Sequence, residues 1–285
     1  MDLKEYFKKA QKQKWAIGQF NFSTLEQLRA IFASAQKTKS PIILGTSQGE
    51  SNFLGLKEIV ALTEISKIKY NVPAFLNFDH GKDLKVLKSA IDFGYSAVHF
   101  DGSELSFKKN IEQTKKIVEY AHKRGVLVEG ELGHITGQSK QHLGKIKIKK
   151  EDLTLVDQVN QFIKQTKVDT LAVSIGNFHG VSKESPNLDL ELLKEIQEQT
   201  KTFLVLHGGS GISSIDIKKT IKLGIVKINV NTELRMIWKE SLEKSLRDKK
   251  INTKPYSILS NVENLMEKKV IEKIKLFGSN NKYEK

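Results

Sequence analysis

Short apolar runs alternate along the chain with longer segments in which apolar residues recur every three or four positions. The short runs are rich in β-branched residues and lack strict alternation, which is typical of parallel strands buried on both faces. They predict eight strands, at 16–20, 41–45, 73–78, 97–101, 126–131, 170–175, 203–207 and 225–230. The segments between them have the spacing of amphipathic helices.

The predicted helices lie at 25–37, 57–70, 84–93, 107–123, 156–166, 190–200, 214–223, 233–248 and 256–277. Asp189 is a suitable N-cap for one of them, and Gly224 follows another where a C-terminal glycine belongs. Eight strands alternating with helices indicate either a (β/α)8 TIM barrel or a doubly wound sheet. The strand count and the length favour the barrel, as a single domain over residues 1–285 with extra C-terminal helices.

One segment breaks this alternation. Residues 134–153 are polar, contain glycine and lysine, and follow the fifth predicted strand. Because a structureless loop of this length is uncommon in a compact domain, we expect it to be functional or mobile.

The composition narrows the classes of partner. The net charge is +14, but the basic residues are nearly all lysines spread over every predicted helix, with arginine only at positions 29, 124, 235 and 247. This distribution favours a solvated surface over a nucleic-acid interface. The absence of cysteine excludes thiolate nucleophiles and disulfides. No segment resembles a signal peptide or a membrane span, so we expect a cytoplasmic protein.

Three of the seven histidines share an unusual setting. His80, His179 and His207 each lie at the C-terminal end of a predicted strand and each is followed by glycine. In a barrel these strand ends converge on one mouth, where active sites form. Three imidazoles with one open position are the ligand set of a catalytic zinc ion. We interpret the remaining histidines as buried, hydrogen-bonded or surface residues; they are at positions 99, 122, 134 and 142.

Carboxylates occupy the same rim. Asp79 precedes His80 and is a candidate general acid and base beside a metal. Asp101 and Glu131 end the fourth and fifth strands, where they could orient a histidine ligand or hold a second cation. Helix capping and strand-end salt bridges are the alternative for these carboxylates.

Two loops on the same side have the features of a phosphate site. A glycine-rich turn runs from His207 to Gly211, and Asn229 to Thr232 follow the next strand. The loops after the last two strands of a barrel commonly bind phosphate through backbone N–H groups at a helix N-terminus.

Taken together, these motifs resemble the class II (zinc-dependent) ketose-bisphosphate aldolases over nearly the whole chain. The most specific are Asp79-His80-Gly81, Glu131-Leu132-Gly133, His179-Gly180, the glycine-rich turn 207–211 and the stretch Lys-Ile-Asn-Val-Asn-Thr-Glu at 227–233. The resemblance implies that His80, His179 and His207 bind the catalytic zinc. It also implies that Asp79 exchanges a proton with the sugar C4 hydroxyl and that Asp101 and Glu131 line a secondary cation site. The implied substrate-binding residues are Asn21, Ser47, Gly180, Gly208, Gly209, Ser210, Asn229, Asn231 and Thr232.

In this mechanism zinc polarises the ketone as a Lewis acid, so no Schiff-base lysine is needed. Lys227 is therefore interpreted as structural or as a substrate neighbour.

The sequence departs from the family in the loop after Gly133. Family members usually have Gly-Gly-x-Glu-Asp there, with a glutamate that moves a proton at the enediolate carbon. In this chain residues 134–140 read His-Ile-Thr-Gly-Gln-Ser-Lys. Losing a positioned acid or base typically costs ~10²–10⁴-fold in rate. We therefore expect a slow enzyme unless His134, Lys140 or His142 replaces the glutamate.

The sequence departs from the family pattern at two further places. Asn177-Phe178 stand directly before His179, and Asn77 stands two residues before Asp79.

The leading substrate is fructose 1,6-bisphosphate, cleaved to dihydroxyacetone phosphate and glyceraldehyde 3-phosphate. Tagatose 1,6-bisphosphate or another ketose phosphate is the close alternative, which the stretch Thr232-Glu-Leu-Arg235 slightly favours. A non-catalytic protein that binds metal and sugar phosphate is the alternative from another class. The resemblance also implies a homodimer or homotetramer.

Overall fold

The computed structural model describes residues 1–142, 144, 146–248 and 253–283. The strands are β1 (Ile17–Asn21), β2 (Ile42–Ser47), β3 (Ala74–Gly81), β4 (Ala97–Phe100), β5 (Leu127–Leu132), β6 (Gly137–Gln141), β7 (Thr170–Val173), β8 (His179–Val181), β9 (Phe203–Leu206) and β10 (Ile225–Val230). The helices are α1 (Leu3–Gln13), α2 (Leu25–Thr38), α3 (Gln48–Leu54), α4 (Leu56–Tyr70), α5 (Leu84–Phe93), α6 (Phe107–His122), α7 (Val156–Thr166), α8 (Leu190–Glu198), α9 (Ser214–Lys222), α10 (Thr232–Arg247) and α11 (Pro255–Phe277).

Eight of these strands close into a parallel barrel in the order β1-β10-β9-β7-β5-β4-β3-β2. The strands are buried along almost their whole length, as their continuous apolar runs predict. This confirms the predicted TIM barrel with additional helices at the C-terminal end. The described helices include none long and apolar enough to cross a membrane.

Two helices were not predicted from the sequence. Helix α1 begins with a capping box between Asp2 and Glu5 and buries Leu3 and Phe7 against the barrel. Helix α3 is only seven residues long and begins with a second capping box, between Ser47 and Glu50. This short helix follows β2 directly, so it brings Glu50 to the mouth of the barrel.

The segment 134–153 is more ordered than a plain loop. Strand β6 within it pairs in parallel with β8, and a short 3-10 helix spans Lys150–Asp152. Residues 143 and 145 of this predicted loop lie outside the described residues. The pairing carries the segment across the barrel mouth beside His179.

His179 does not lie at the end of a barrel strand, contrary to the prediction. Strand β7 ends at Val173, and His179 begins the separate strand β8. A turn intervenes because the Asn177 side chain accepts a hydrogen bond from the Ile175 N–H and donates one to the His207 carbonyl. Gly176 has a positive φ of 99° in this turn, which favours glycine.

Candidate active site

His80 lies at the end of β3 in a strained backbone conformation. Its φ of 53° is in the left-handed region, which few residues other than glycine adopt. The His80 N–H donates a hydrogen bond to His99 Nδ1 at 3.3 Å, and the His80 Nδ1 lies 3.0 Å from Asp101 Oδ2. These two contacts fix both the backbone and the ring, so that the other ring nitrogen, Nε2, faces the barrel axis.

His207 approaches from the opposite side, just after β9. Its Nε2 is 2.7 Å from Glu129 Oε1, and its Nδ1 is 2.8 Å from His80 Nε2. Because a carboxylate binds the outer nitrogen of each ring, we assign the outer nitrogens as donors. The two inner nitrogens then face each other, and a histidine held in this way by a carboxylate is typical of a metal ligand.

Glu129 is itself held by a buried ion pair. Its Oε2 lies 2.7 Å from Lys227 Nζ, and each side chain is only 3% exposed. Burial alone would raise the pKa of Glu129, but Lys227 and the hydrogen bond to His207 lower it well below its usual value. Lys227 is therefore occupied by a carboxylate, as expected of a structural lysine rather than a nucleophile.

Replacing Lys227 with methionine should destabilise the fold by ~3–5 kcal/mol, because Glu129 would remain buried without its cation. The free energy of unfolding in urea measures this effect. The double variant Lys227→Met with Glu129→Gln should recover part of the loss, since it removes the stranded charge. Lys116→Met, which breaks an exposed pair with Glu112 on α6, serves as the control and should change little. A loss no larger than that control would contradict the account.

His179 completes the group of imidazoles. Its ring centre lies 4.7 Å from that of His80 and 6.0 Å from that of His207. Burial, with the nearby charges of His80 and His207, lowers its pKa well below the usual value, so its ring is neutral. Among the described residues, Asp79, His80, His99 and His207 offer potential ligand atoms that all lie within 4.8 Å of one another. His179 is not in that set and contacts it through the ring of His80.

The carboxylates around His80 favour a positive charge between the His80 and His207 rings. Burial alone would lower the pKa of His80, but the carboxylate of Asp79 and the hydrogen bond to Asp101 raise it to about 9. A proton on His80 Nε2 can thus bridge to His207 Nδ1. A divalent cation that displaced this proton would meet the same surrounding carboxylates.

Asp79 is a buried carboxylate with both oxygens hydrogen-bonded. Asn229 Nδ2 donates to its Oδ1 at 3.1 Å, and Asn21 Nδ2 donates to its Oδ2 at 2.9 Å. Burial would raise the pKa of Asp79, but the positive charges of His80 and His207 lower it below its usual range. Asp79 is therefore ionised and ready to accept a proton.

The predicted secondary site is built from His80, Asp101 and Glu131, which the structure brings together. Asp101 also accepts a hydrogen bond from Ser103 Oγ at 2.6 Å. Glu131 Oε2 is buried without a hydrogen-bond partner, 3.9 Å from His80 Nδ1 and 3.3 Å from His99 Nε2. An unpartnered buried carboxylate oxygen is costly unless a cation or water reaches it.

Replacing Asp101 with asparagine should weaken zinc binding by ~10–100-fold, because His80 would lose the carboxylate that fixes its ring and its tautomer. Competition with a chromogenic chelator measures this affinity. Asp189→Asn is the matched control, since Asp189 caps helix α8 and asparagine caps equally well. Equal affinities in the two variants would show that Asp101 does not orient a ligand.

The phosphate loops surround the imidazoles. The pocket over the rings is lined by Asp79, His80, Ser139, His179, Gly180, His207, Gly208, Ser210, Asn229, Asn231 and Thr232. At Gly208, with φ of 66°, any Cβ would collide with the Phe178 carbonyl. Helix α10 starts at Thr232 and presents its N-terminus to the pocket, as anion binding requires.

Three of the predicted substrate-binding residues do not line this pocket. Asn21 lies behind Asp79, and Ser47 accepts a hydrogen bond from the Glu50 N–H at the start of α3. The Gly209 N–H donates to the Asn229 carbonyl, so this amide already has a partner. All three lie near the mouth of the barrel, but these polar atoms bind protein groups.

The loop candidates for the missing glutamate do not converge on the pocket. His142 Nε2 lies 3.0 Å from the carbonyl oxygens of both Gln138 and His179, and His134 Nδ1 lies 3.4 Å from Ser103 Oγ. Lys140 is exposed, whereas Ser139 lines the pocket. None of these three candidate side chains lines the pocket, so none is placed there to replace the glutamate.

Three functional residues escaped the sequence analysis. His99 belongs to the set of potential ligands, Glu129 binds His207, and both are buried. His99 stands two positions before Asp101, and Glu129 stands two positions before Glu131. Since side chains alternate along a strand, this spacing was a usable signal that they face the same side. Glu50 could have been found from the sequence Ser-Gln-Gly-Glu, a capping box. His99 does fit its interpretation as buried and hydrogen-bonded, but it lies against the imidazoles rather than away from them.

Known proteins that are similar to this chain in sequence and structure are class II aldolases or carry the name aldolase. The family described as fructose-bisphosphate aldolase class-II matches residues 1–282. The fructose-bisphosphate aldolase of Geobacillus stearothermophilus is 36% identical over 99% of this chain and 98% of its own length. The YdjI aldolase from Escherichia coli K12 has a similar structure, with a TM-score of 0.86, 31% identity and 99% coverage of both chains. The chain belongs to the class II fructose-bisphosphate aldolase family, and it is an aldolase, a lyase that cleaves carbon–carbon bonds.

Membership of the family does not define the substrate. A relative from Shouchella clausii (strain KSM-K16), 36% identical over 96% of this chain and 92% of its own length, is named 6-phospho-5-dehydro-2-deoxy-D-gluconate aldolase. Relatives of equal identity thus differ in the substrates that their names give. The substrate must be argued from the site.

Proposed function

We propose that this aldolase is zinc-dependent and cleaves a phosphorylated ketose to dihydroxyacetone phosphate and an aldehyde. The observation that carries the proposal is the pair of inner nitrogens, His80 Nε2 and His207 Nδ1, turned toward each other by carboxylates next to an ionised Asp79. Three imidazoles with an open position suit a catalytic zinc ion, which would displace the proton of His80 on binding.

In this proposal His80, His179 and His207 hold the zinc, and Asp101 and Glu131 can hold a second cation. The donor set fits because the inner nitrogens of His80 and His207 lie 2.8 Å apart and the unpartnered Glu131 Oε2 supplies negative charge behind them. The bound ion would act as a Lewis acid toward the ketone oxygen and stabilise the charge that develops there during cleavage.

Asp79 moves the proton. It accepts the hydrogen of the C4 hydroxyl as the C3–C4 bond breaks, so that C4 becomes the aldehyde carbon and the bonding electrons remain with C3. Its hydrogen bonds from Asn21 and Asn229 fix its orientation and keep it ionised until the substrate arrives. A proton from solvent then adds to C3 to give dihydroxyacetone phosphate, and Asp79 returns its own proton to solvent.

The phosphate of that product would bind where Gly180, Gly208, Ser210 and Thr232 line the pocket at the N-terminus of α10. In the same proposal, the dihydroxyacetone-phosphate end is also bound by Gly209, Asn229 and Asn231. The rest of the sugar lies near Asn21 and Ser47. Fructose 1,6-bisphosphate is the first substrate to assay, and tagatose 1,6-bisphosphate is the second.

We also propose that residues 1–285 act as one domain in the cytoplasm, as a homodimer or homotetramer. Sedimentation analysis of the purified protein tests the oligomeric state. A monomer at micromolar concentration would contradict that part of the proposal.

A coupled assay for dihydroxyacetone phosphate tests the function. The purified protein is supplied with fructose 1,6-bisphosphate, tagatose 1,6-bisphosphate or fructose 1-phosphate, with and without a chelator. We expect release of the product from at least one ketose and loss of activity with chelator. Activity that resists metal removal would contradict the zinc mechanism, and failure with every ketose phosphate would contradict the proposed substrate class.

A further inference from the structure

The carboxylate of Glu50 is buried at the mouth of the barrel, near Asp79, and accepts several hydrogen bonds. The residue is 6% exposed. Its Oε2 accepts hydrogen bonds from Asn21 Nδ2 at 3.0 Å and from the Ser47 N–H at 2.7 Å. Its Oε1 accepts from Asn231 Nδ2 at 3.3 Å and from Arg235 Nη2 at 2.6 Å. Four donors hold this carboxylate in one position, so it is a fixed part of the mouth.

Glu50 and Asp79 are neighbours through one shared side chain. The same amide nitrogen, Asn21 Nδ2, donates to Asp79 Oδ2 at 2.9 Å and to Glu50 Oε2 at 3.0 Å. If Asp79 receives the C4 hydroxyl proton, the part of the ketose beyond C4 passes this second carboxylate. The far end of the substrate would then lie toward Glu50, whose partner Asn231 lines the pocket.

Arg235 is the cation at this end, and Glu50 already takes its charge. The Arg235 side chain is 41% exposed in the first turns of α10, and its Nη1 also lies 3.5 Å from the Ser139 carbonyl oxygen. Both Ser139 and Asn231, which contact this pair, line the pocket. Because Arg235 is matched by Glu50, its positive charge is already balanced at this end and is not available to a second phosphate.

We propose that Glu50 makes the far end of the pocket selective for an uncharged, hydroxylated aldehyde portion, so that ketose 1-phosphates are preferred to ketose 1,6-bisphosphates. This inference rests on the proposed function. A second phosphate would find the guanidinium already paired and would approach the carboxylate of Glu50 in a partly buried site, where like charges repel far more strongly than in water. A repulsive group of this kind discriminates between substrates that share every other contact.

The same glutamate also caps α3, so the test must separate its charge from its cap. Glutamine at this position can make the capping-box hydrogen bond equally well. Glu50→Gln therefore keeps the shape and the cap while it removes the negative charge and frees the charge of Arg235. Asp92→Asn is the matched control, since it breaks a carboxylate–guanidinium pair with Arg124 on the exposed surface of α5 and α6.

The experiment runs the reaction in the direction of condensation. Dihydroxyacetone phosphate is combined with D-glyceraldehyde or with glyceraldehyde 3-phosphate, and kcat/KM is measured for each aldehyde. We expect the wild-type protein and Asp92→Asn to prefer D-glyceraldehyde. In Glu50→Gln the ratio should shift toward glyceraldehyde 3-phosphate by about tenfold or more, as loss of one like-charge interaction predicts.

A wild-type preference for glyceraldehyde 3-phosphate would overturn the inference even if the variant did not fold. An unchanged ratio in a folded Glu50→Gln protein would overturn it as well. In both cases condensation still occurs, so the proposed function stands. Absence of condensation with either aldehyde would overturn the proposed function, and this inference with it.

Discussion

Replacing His207 with alanine should abolish zinc binding and lower cleavage of the ketose phosphate by at least ~10³-fold, since Lewis-acid catalysis supplies several kcal/mol. His207 is fully buried and its Nδ1 is one of the two nitrogens that face each other at the centre of the site. The variant would lose a ligand and would also strand the buried Glu129, which now binds His207 Nε2.

The measurement combines metal content by mass spectrometry with the rate of dihydroxyacetone phosphate release. His122→Ala is the matched control, because His122 also pairs with a carboxylate, Asp169, but lies 41% exposed on α6. The control should keep its metal and its rate. If His207→Ala bound one zinc ion per chain with unchanged rate, the assignment of the metal centre would be wrong.

Replacing Asp79 with asparagine should lower kcat by ~10²–10⁴-fold, the usual contribution of a positioned general base. Zinc should remain bound, because Asp79 is not one of the proposed ligands. Asparagine has the same shape, but it cannot accept the C4 hydroxyl proton. The loss should therefore appear in kcat, with a smaller effect on KM.

The control for this variant is Asp83→Asn, which changes an exposed N-cap at the start of α5, four residues further along the chain. Asparagine is an equally good N-cap, so its activity should match the wild type. A rate for Asp79→Asn within a few-fold of the wild type would show that another group takes the proton. Simultaneous loss of zinc would show that Asp79 is needed for the metal.

The barrel was predictable because buried parallel strands leave continuous apolar runs, and closure then places every strand end at one mouth. His80 lies at the end of its strand and His207 follows its strand directly, so the sequence was sufficient to bring them together. His179 follows a turn that depends on the Asn177 side chain and on the positive φ of Gly176. A contact between an amide side chain and a distant carbonyl has no local signature, and the departure from the strand end was missed.

The supporting residues were harder to predict for a related reason. His99 and Glu129 lie opposite each other in the register of β4 and β5, and their importance follows from what they touch across the barrel. The pairing of β6 with β8 is similar, since the sequence of β6 is polar throughout and lacks the apolar pattern of a strand. Glu50 had a local signal in its capping box, but its bond to Arg235 joins residues 185 positions apart.

Zinc titration of the metal-free protein tests the central claim most directly. The chelator-stripped protein is titrated with Zn²⁺ while release of dihydroxyacetone phosphate is followed with the best ketose phosphate of the three assayed. The account predicts no release without metal and a linear rise that saturates near one equivalent per chain. A rate that is independent of added zinc, or no release from any of the three ketoses at full occupancy, would contradict it.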